Sequence, residues 1–176
     1  YAIKNIHFPE SREAMEMARR RLAFDELLNL QLGMKMMREH NCKSSTDYKM
    51  NSQISIDGFY GSIPFKLTDS QMAAIDDIIK DLCGNIPMNR LLQGDVGSGK
   101  TVVAAASCYF AAKNSCQTAL MAPTEILANQ HYRTLSSFLL PFGIKVCLLT
   151  GSMTSKQKNN IKSEIKQAIV SNITFI

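Results

Sequence analysis

From Phe65 onward, short apolar runs alternate with longer amphipathic stretches. The pattern predicts helices over 69–83, 100–113, 125–140 and 155–170, and strands over 90–93, 118–122, 144–149 and 173–176. Strands that alternate with helices imply an α/β fold, a parallel sheet with helices on both faces. Ahead of this region, residues 10–40 read as one long helix. Met15, Ala18, Leu22, Phe24, Leu27 and Leu28 interleave there with charged residues, and Pro9 stands just before the start. From Leu27 to Met37 the helix is apolar on more than one side, so it needs partners on several faces. Residues 41–64 break the pattern with the polar run Asn41 to Asp47 followed by Gly58 and Gly61, the composition of a flexible linker. The expected organisation is a linker-helix region over 1–40, a flexible linker over 41–64 and an α/β domain over 65–176.

Composition adds bounds. The chain has 176 residues, 45% of them hydrophobic and 20% charged, which suits one soluble domain with a real core. No stretch reaches the roughly eighteen uninterrupted apolar residues of a membrane span, and Tyr1 to Phe8 resemble neither a signal nor a transit peptide. The chain begins at Tyr1 rather than methionine and ends inside the apolar run Ile173-Thr174-Phe175-Ile176. It is therefore expected to be an excised fragment with a truncated sheet. The five cysteines show no C-x-x-C spacing and read as reduced thiols of a cytoplasmic protein. His7, His40 and His131 are too scattered for a metal site.

The net charge of +5 has a location. Residues 1–50 hold nine basic and seven acidic groups, residues 51–112 four and six, and residues 113–176 seven and two. The first two blocks cancel, which leaves the surplus in the C-terminal third. Such a bias fits phosphate backbones, and it equally fits a solvated lysine-rich helix face.

The strongest chemical signal is Gly94-Asp95-Val96-Gly97-Ser98-Gly99-Lys100-Thr101, a full match to the phosphate-binding pattern G-x-x-x-x-G-K-[ST]. Phosphate oxygens need several backbone N–H donors aimed at one centre. Glycines let the chain curl that tightly without a Cβ in the way. The helix that starts near Lys100 adds its positive N-terminal end. Lys100 is expected on the β- and γ-phosphates, and the Thr101 hydroxyl on Mg²⁺. A short apolar strand before the loop and the small-residue helix after it give the setting the pattern requires.

Two flanking segments carry weaker signals. Thr68 and Gln71 form a T-x-x-Q capping box. Gln71 is also placed to offer its amide to an adenine edge, with Phe65 near the base, and the two readings are compatible. Downstream, Thr124 suits an N-cap and Glu125 a first helical turn. The alternative is that this helix start, with Pro123, faces a nucleic-acid phosphate. Thr150-Gly151 ends the next strand in an equivalent place, and ligands of open parallel sheets gather at such strand ends.

Taken together, these segments resemble the superfamily 2 DNA helicases, and within them the RecG family. The resemblance is carried by Phe65-x-Leu67-Thr68-x-x-Gln71, by Pro87 to Thr101, and by Met121-Ala122-Pro123-Thr124-Glu125-Ile126-Leu127-Ala128-x-Gln130-His131. Ile6-His7-Phe8-Pro9 and Arg21 to Leu28 are similar to the family's segment ahead of the motor. The resemblance implies a RecA-like first motor lobe of an ATP-dependent helicase that remodels branched DNA and stalled forks in repair and recombination, acting as a monomer with ATP and Mg²⁺. It also implies roles: Gly94 to Thr101 as helicase motif I, Phe65 and Gln71 as the adenine reader, Pro123, Thr124 and Glu125 as motif Ia on the DNA backbone, with Thr150 and Gly151 near the same path. The family's acidic motif II, its second lobe and its wedge domain would lie outside this sequence, so the chain alone is expected to bind nucleotide weakly and hydrolyse almost none. The rival is a P-loop switch or carrier that acts on a protein partner; a kinase-type enzyme would need an acceptor site that the sequence does not reveal.

Overall fold

The computed structural model describes residues 1–42, 45–46, 48–167 and 173–175. It divides into two compact units, Tyr1–Ser45 and Thr46–Ile176.

The first unit is helical. Helix α1 (Ala2–His7) packs on helix α2 (Arg12–Cys42). The short α1 was not foreseen; the long helix was, over 10–40. Asn5 is buried and explains the bend between them. Its Nδ2 donates to the Tyr1 carbonyl at 3.1 Å, and its Oδ1 accepts from the Glu10 N–H at 3.4 Å. Among the described residues of α2, Ala14 and Ala18, one turn apart, are the buried positions, small enough for close approach. Met17, Phe24, Leu27, Leu30, Met36 and Met37 are exposed.

The second unit is built around helix α5 (Lys100–Lys113). Nine of its side chains are buried, from Val102 to Ala112, so it is enclosed on most sides. Four alanines among them let α4 (Asp69–Leu82), α6 (Glu125–Leu139) and the sheet approach closely. The sheet has three parallel strands, β1 (Thr118–Ala119), β2 (Lys145–Cys147) and β3 (Ile173–Phe175), in the order β1-β3-β2. Thr118 pairs with Thr174, and Val146 pairs with Thr174 from the other side. The crossovers run through α6, followed by a 3₁₀ turn at Leu140–Phe142, and through α7 (Ser155–Gln167). Among the described residues the strands are parallel and alternate with helices, as expected, but they are shorter than expected. Among the described residues 90–93 form no strand: a strand is defined by its ladder, and Arg90 to Gln93 pair with none of β1, β2 or β3. The last residues of the expected helix 155–170, and Ile176, lie outside the described residues.

The flexible linker expected over 41–64 is corrected for its second half. Helix α3 (Asp57–Ser62) forms there, and Ile56, Phe59 and Ile63 join the core. Phe59 is fully buried, tilted against Tyr109 and Phe142 and edge-on to Phe138, with ring centres 5.5 to 6.3 Å apart. Three large apolar residues at helical spacing outweigh the loop tendency of Gly58 and Gly61. Gly58 also fits because a Cβ there would stand 3.0 Å from the Tyr109 hydroxyl. Cys83, Cys108, Cys116 and Cys147 are thiols rather than disulfides. Among the described residues no helix is long and apolar enough to cross a membrane.

Candidate nucleotide and nucleic-acid site

The loop Gly94–Gly99 leads directly into α5. Gly97 and Gly99 have φ of +82° and +80°, the left-handed region where a side chain is strained. Gly99 is the N-cap of α5, and its carbonyl accepts from the Val102 N–H at 3.0 Å. A Cβ on Gly94 would stand 2.7 Å from Ser98 Oγ. The backbone is thus curled as the pattern requires. Lys100 Nζ is exposed and donates to the carbonyls of Gly94 at 2.8 Å and Asp95 at 2.7 Å, which holds the ammonium over the mouth of the loop. The Asp95 carbonyl also accepts from the Ser98 N–H at 3.2 Å. Val96 is fully exposed, and Thr101 sits half-buried in the first turn of α5. The glycine cradle, an ammonium at its rim and a hydroxyl in the next turn fit a polyphosphate with its Mg²⁺. Among the described residues no cluster of three acidic, histidine or cysteine side chains offers a separate metal site.

Gln71 reaches this loop. The capping box is complete: Thr68 Oγ1 accepts from the Gln71 N–H at 3.2 Å, and Gln71 Oε1 accepts from the Thr68 N–H at 2.9 Å. Its Nε2 donates to the Ser98 carbonyl at 2.9 Å, so the same amide ties the start of α4 to the loop Gly94–Gly99. One N–H and one lone pair of the amide remain, which is the pair an adenine edge would engage. Phe65 is half-exposed and edge-on to Phe138 at 6.4 Å.

A residue that sequence reasoning missed supports the same elements. Arg90 donates to Asp81 at 2.8 Å and to Asp77 at 3.0 Å, which fastens the segment before the loop to α4. The Arg90 hydrogen bond holds the Asp81 carboxyl below its ordinary range. The two aspartates stand four apart on one helix face, a visible signal, but nothing in the sequence names their partner.

Gly99→Ala is expected to break this assembly. The backbone there costs a residue with a Cβ about 1–2 kcal/mol, and the new methyl would collide with Gln71 Nε2. The melting temperature should fall by roughly 2–8 °C, with weaker binding of a fluorescent nucleotide. An unchanged melt together with unchanged affinity would overturn this account of the loop.

The second group of predicted residues also comes together. Thr124 caps α6, its Oγ1 accepting from the Leu127 N–H at 3.3 Å. Glu125 Oε1 accepts from the Ser152 N–H at 2.6 Å, so Pro123–Glu125 and Thr150–Ser152 are neighbours. Lys158 donates to the Gly151 carbonyl at 2.7 Å. A second T-x-x-Q box, Thr154 with Gln157, starts α7 and places Lys158 one residue further on. That recurrence of the Thr68–Gln71 spacing was legible in the sequence; the Glu125–Ser152 bond was not.

Residues 68–175 match the model of the DEAD/DEAH box helicase family. The chain belongs to this family. Among curated DEAD/DEAH box relatives, it is 42% identical over 166 residues to the ATP-dependent DNA helicase RecG of Synechocystis sp., a match that covers 93% of this chain and 20% of that protein. It is 43% identical over 165 residues to the RecG of Thermotoga maritima, covering 94% and 21%. It is 39% identical over 172 residues to the RecG of Aquifex aeolicus, covering 94% and 22%. Among solved structures, one of RecG bound to a three-way DNA junction superposes with a TM-score of 0.82 at 41% identity, over 99% of this chain and 24% of that one. The chain thus spans about a fifth to a quarter of the relatives it matches.

Proposed function

We propose that this chain is the ATP-binding part of the first motor lobe of an ATP-dependent DNA helicase that remodels branched DNA and stalled forks in repair and recombination. The observation that carries this reading is the curled loop Gly94–Gly99 with the Lys100 ammonium held across its mouth, in a member of the DEAD/DEAH box helicases. The similarity to RecG, one example of which is bound to a DNA junction, supports branched DNA as the partner. The helical unit Tyr1–Ser45 would be the linker region, and the motor portion would begin near Thr46 rather than Phe65. The protein would act in the cytoplasm as a monomer.

ATP with Mg²⁺ supplies the hydrolysable phosphoanhydride and the charge neutralisation. The chain's own residues do the holding. Backbone N–H groups of the loop and of the α5 start would hold the phosphates, Lys100 would add a positive charge, and the Thr101 hydroxyl would serve the metal. Gln71 reads the base with the remaining half of its amide, and Phe65 would pack beside the base. Pro123, Thr124, Thr150 and Gly151 form the surface toward the DNA backbone, next to the capped start of α6.

The test is a pair of titrations. The chain is expected to bind a fluorescent ATP analogue only when Mg²⁺ is present. It is also expected to bind labelled junction DNA with an affinity that falls steeply between low and moderate salt. Absence of both binding events would sink the proposal, and nucleotide binding without DNA binding would restrict it to the phosphate loop.

A further inference from the structure

We propose that Glu125 is a positioning residue: its carboxylate, together with the Lys158 ammonium, fixes the turn Thr150–Ser152 against the start of α6 and so sets the surface offered to DNA. The inference rests on the DNA reading above, but assigns Glu125 a role other than contact with the backbone.

Three observations carry it. Glu125 Oε1 accepts from the Ser152 N–H at 2.6 Å, across 27 residues of sequence. From the other side Lys158 donates to the Gly151 carbonyl at 2.7 Å, so the turn is gripped through one N–H and one carbonyl by residues of two different helices. Finally, a Cβ on Gly151 would stand 3.1 Å from Glu125 Oε1, so the bare glycine lets the carboxylate come in close. Thr150 Oγ1 and Ser152 Oγ lie 3.2 Å apart and close the turn on itself.

The electrostatics agree with this role. A carboxylate aimed at a phosphate backbone would repel it. Here the Ser152 hydrogen bonds, foremost its N–H, hold Glu125 below the ordinary carboxyl range, with the Gly151 N–H and the Lys158 charge adding to the effect. The charge is also favourably placed at the N-terminal end of α6. Glu125 is therefore ionised and locally matched, and the neighbouring amides and hydroxyls are held in one arrangement for an incoming strand.

The two possible roles predict effects of opposite sign. If Glu125 faced phosphate, Glu125→Ala would remove a repulsion and tighten DNA binding. If it positions the turn, Glu125→Ala should weaken junction binding roughly tenfold, the scale of one charge-assisted hydrogen bond. Glu125→Gln keeps an acceptor for the Ser152 N–H and should recover binding to within about threefold of the parent. The slope of log affinity against log salt should stay unchanged in both, because no phosphate contact is lost. Hydrogen exchange at the Ser152 amide supplies a readout independent of DNA: protection should drop in Glu125→Ala and persist in Glu125→Gln. Should Glu125→Ala fail to fold, Lys158→Met frees the same peptide unit on its carbonyl side, and Ser152 protection should fall part-way because its Glu125 acceptor remains. Tighter DNA binding by Glu125→Ala, or unaltered Ser152 protection in the variants expected to lose it, would overturn the proposal. If the parent chain binds no DNA, the functional reading fails, while the exchange data still decide whether the turn is held as described.

Discussion

Lys100→Ala should lower the affinity of the chain for Mg²⁺-ATP by about 10- to 100-fold, the range set by losing hydrogen bonds from a charged group. The side chain is exposed, and its two partners in the structure are main-chain carbonyls of its own loop. Its removal therefore leaves no buried group unpaired, and the melting temperature should change little. That separation makes the experiment informative. A fluorescent-nucleotide titration reports the phosphate grip, while a thermal melt reports the fold, and only the first should move. If the chain serves a complete helicase as proposed, the same substitution there should abolish ATP turnover and leave junction binding largely intact. Unweakened nucleotide binding by the variant would refute the role of Lys100.

Phe59→Ala is expected to have the largest effect on stability. The ring is fully buried and contacts Tyr109, Phe138 and Phe142, so truncation leaves a cavity that three aromatic neighbours cannot easily close. Losses of this kind cost about 3–5 kcal/mol, which for a chain of this size corresponds to a drop in melting temperature of roughly 10 °C. The adjacent Tyr60→Phe is a contrasting control. The Tyr60 hydroxyl is buried without a hydrogen-bond partner among the described residues. Burial, with Asp76 and Asp57 nearby, pushes its ionisation up. Deleting it should be neutral or slightly stabilising. If both variants melted with the parent, the segment around α3 would not be part of the core.

The contrast between these two sites shows what the sequence could reveal. The conformation of the loop Gly94–Gly99 was legible because its constraint is local. Gly97 and Gly99 stand where the backbone needs positive φ, and Lys100 begins the helix at the expected residue. The same holds for Thr68 and Gln71, whose capping bonds span three residues. The ends of α5 and the start of α6 follow from the same short-range chemistry. Helix α3 escaped because its evidence is tertiary. Gly58 and Gly61 argue for a loop, and only the burial of Ile56, Phe59 and Ile63 against distant aromatics reverses that. The segment 90–93 erred the other way: Leu91 and Leu92 look like strand residues, yet a strand exists only where a ladder receives it, and Leu91 is exposed. Links across long sequence separations, Gln71 to Ser98, Arg90 to Asp77 and Asp81, and Glu125 to Ser152, required coordinates.

The Lys100 ammonium already has two oxygens as partners, supplied by Gly94 and Asp95. Any incoming group must therefore win an exchange rather than occupy an unclaimed cation. A single weak acceptor gains nothing by that trade. A ligand with several clustered anionic oxygens would gain more, because it could engage the displaced lysine and the N-terminal end of α5 together. The lysine's resting contacts would thus raise the threshold for entry and favour ligands of high charge density.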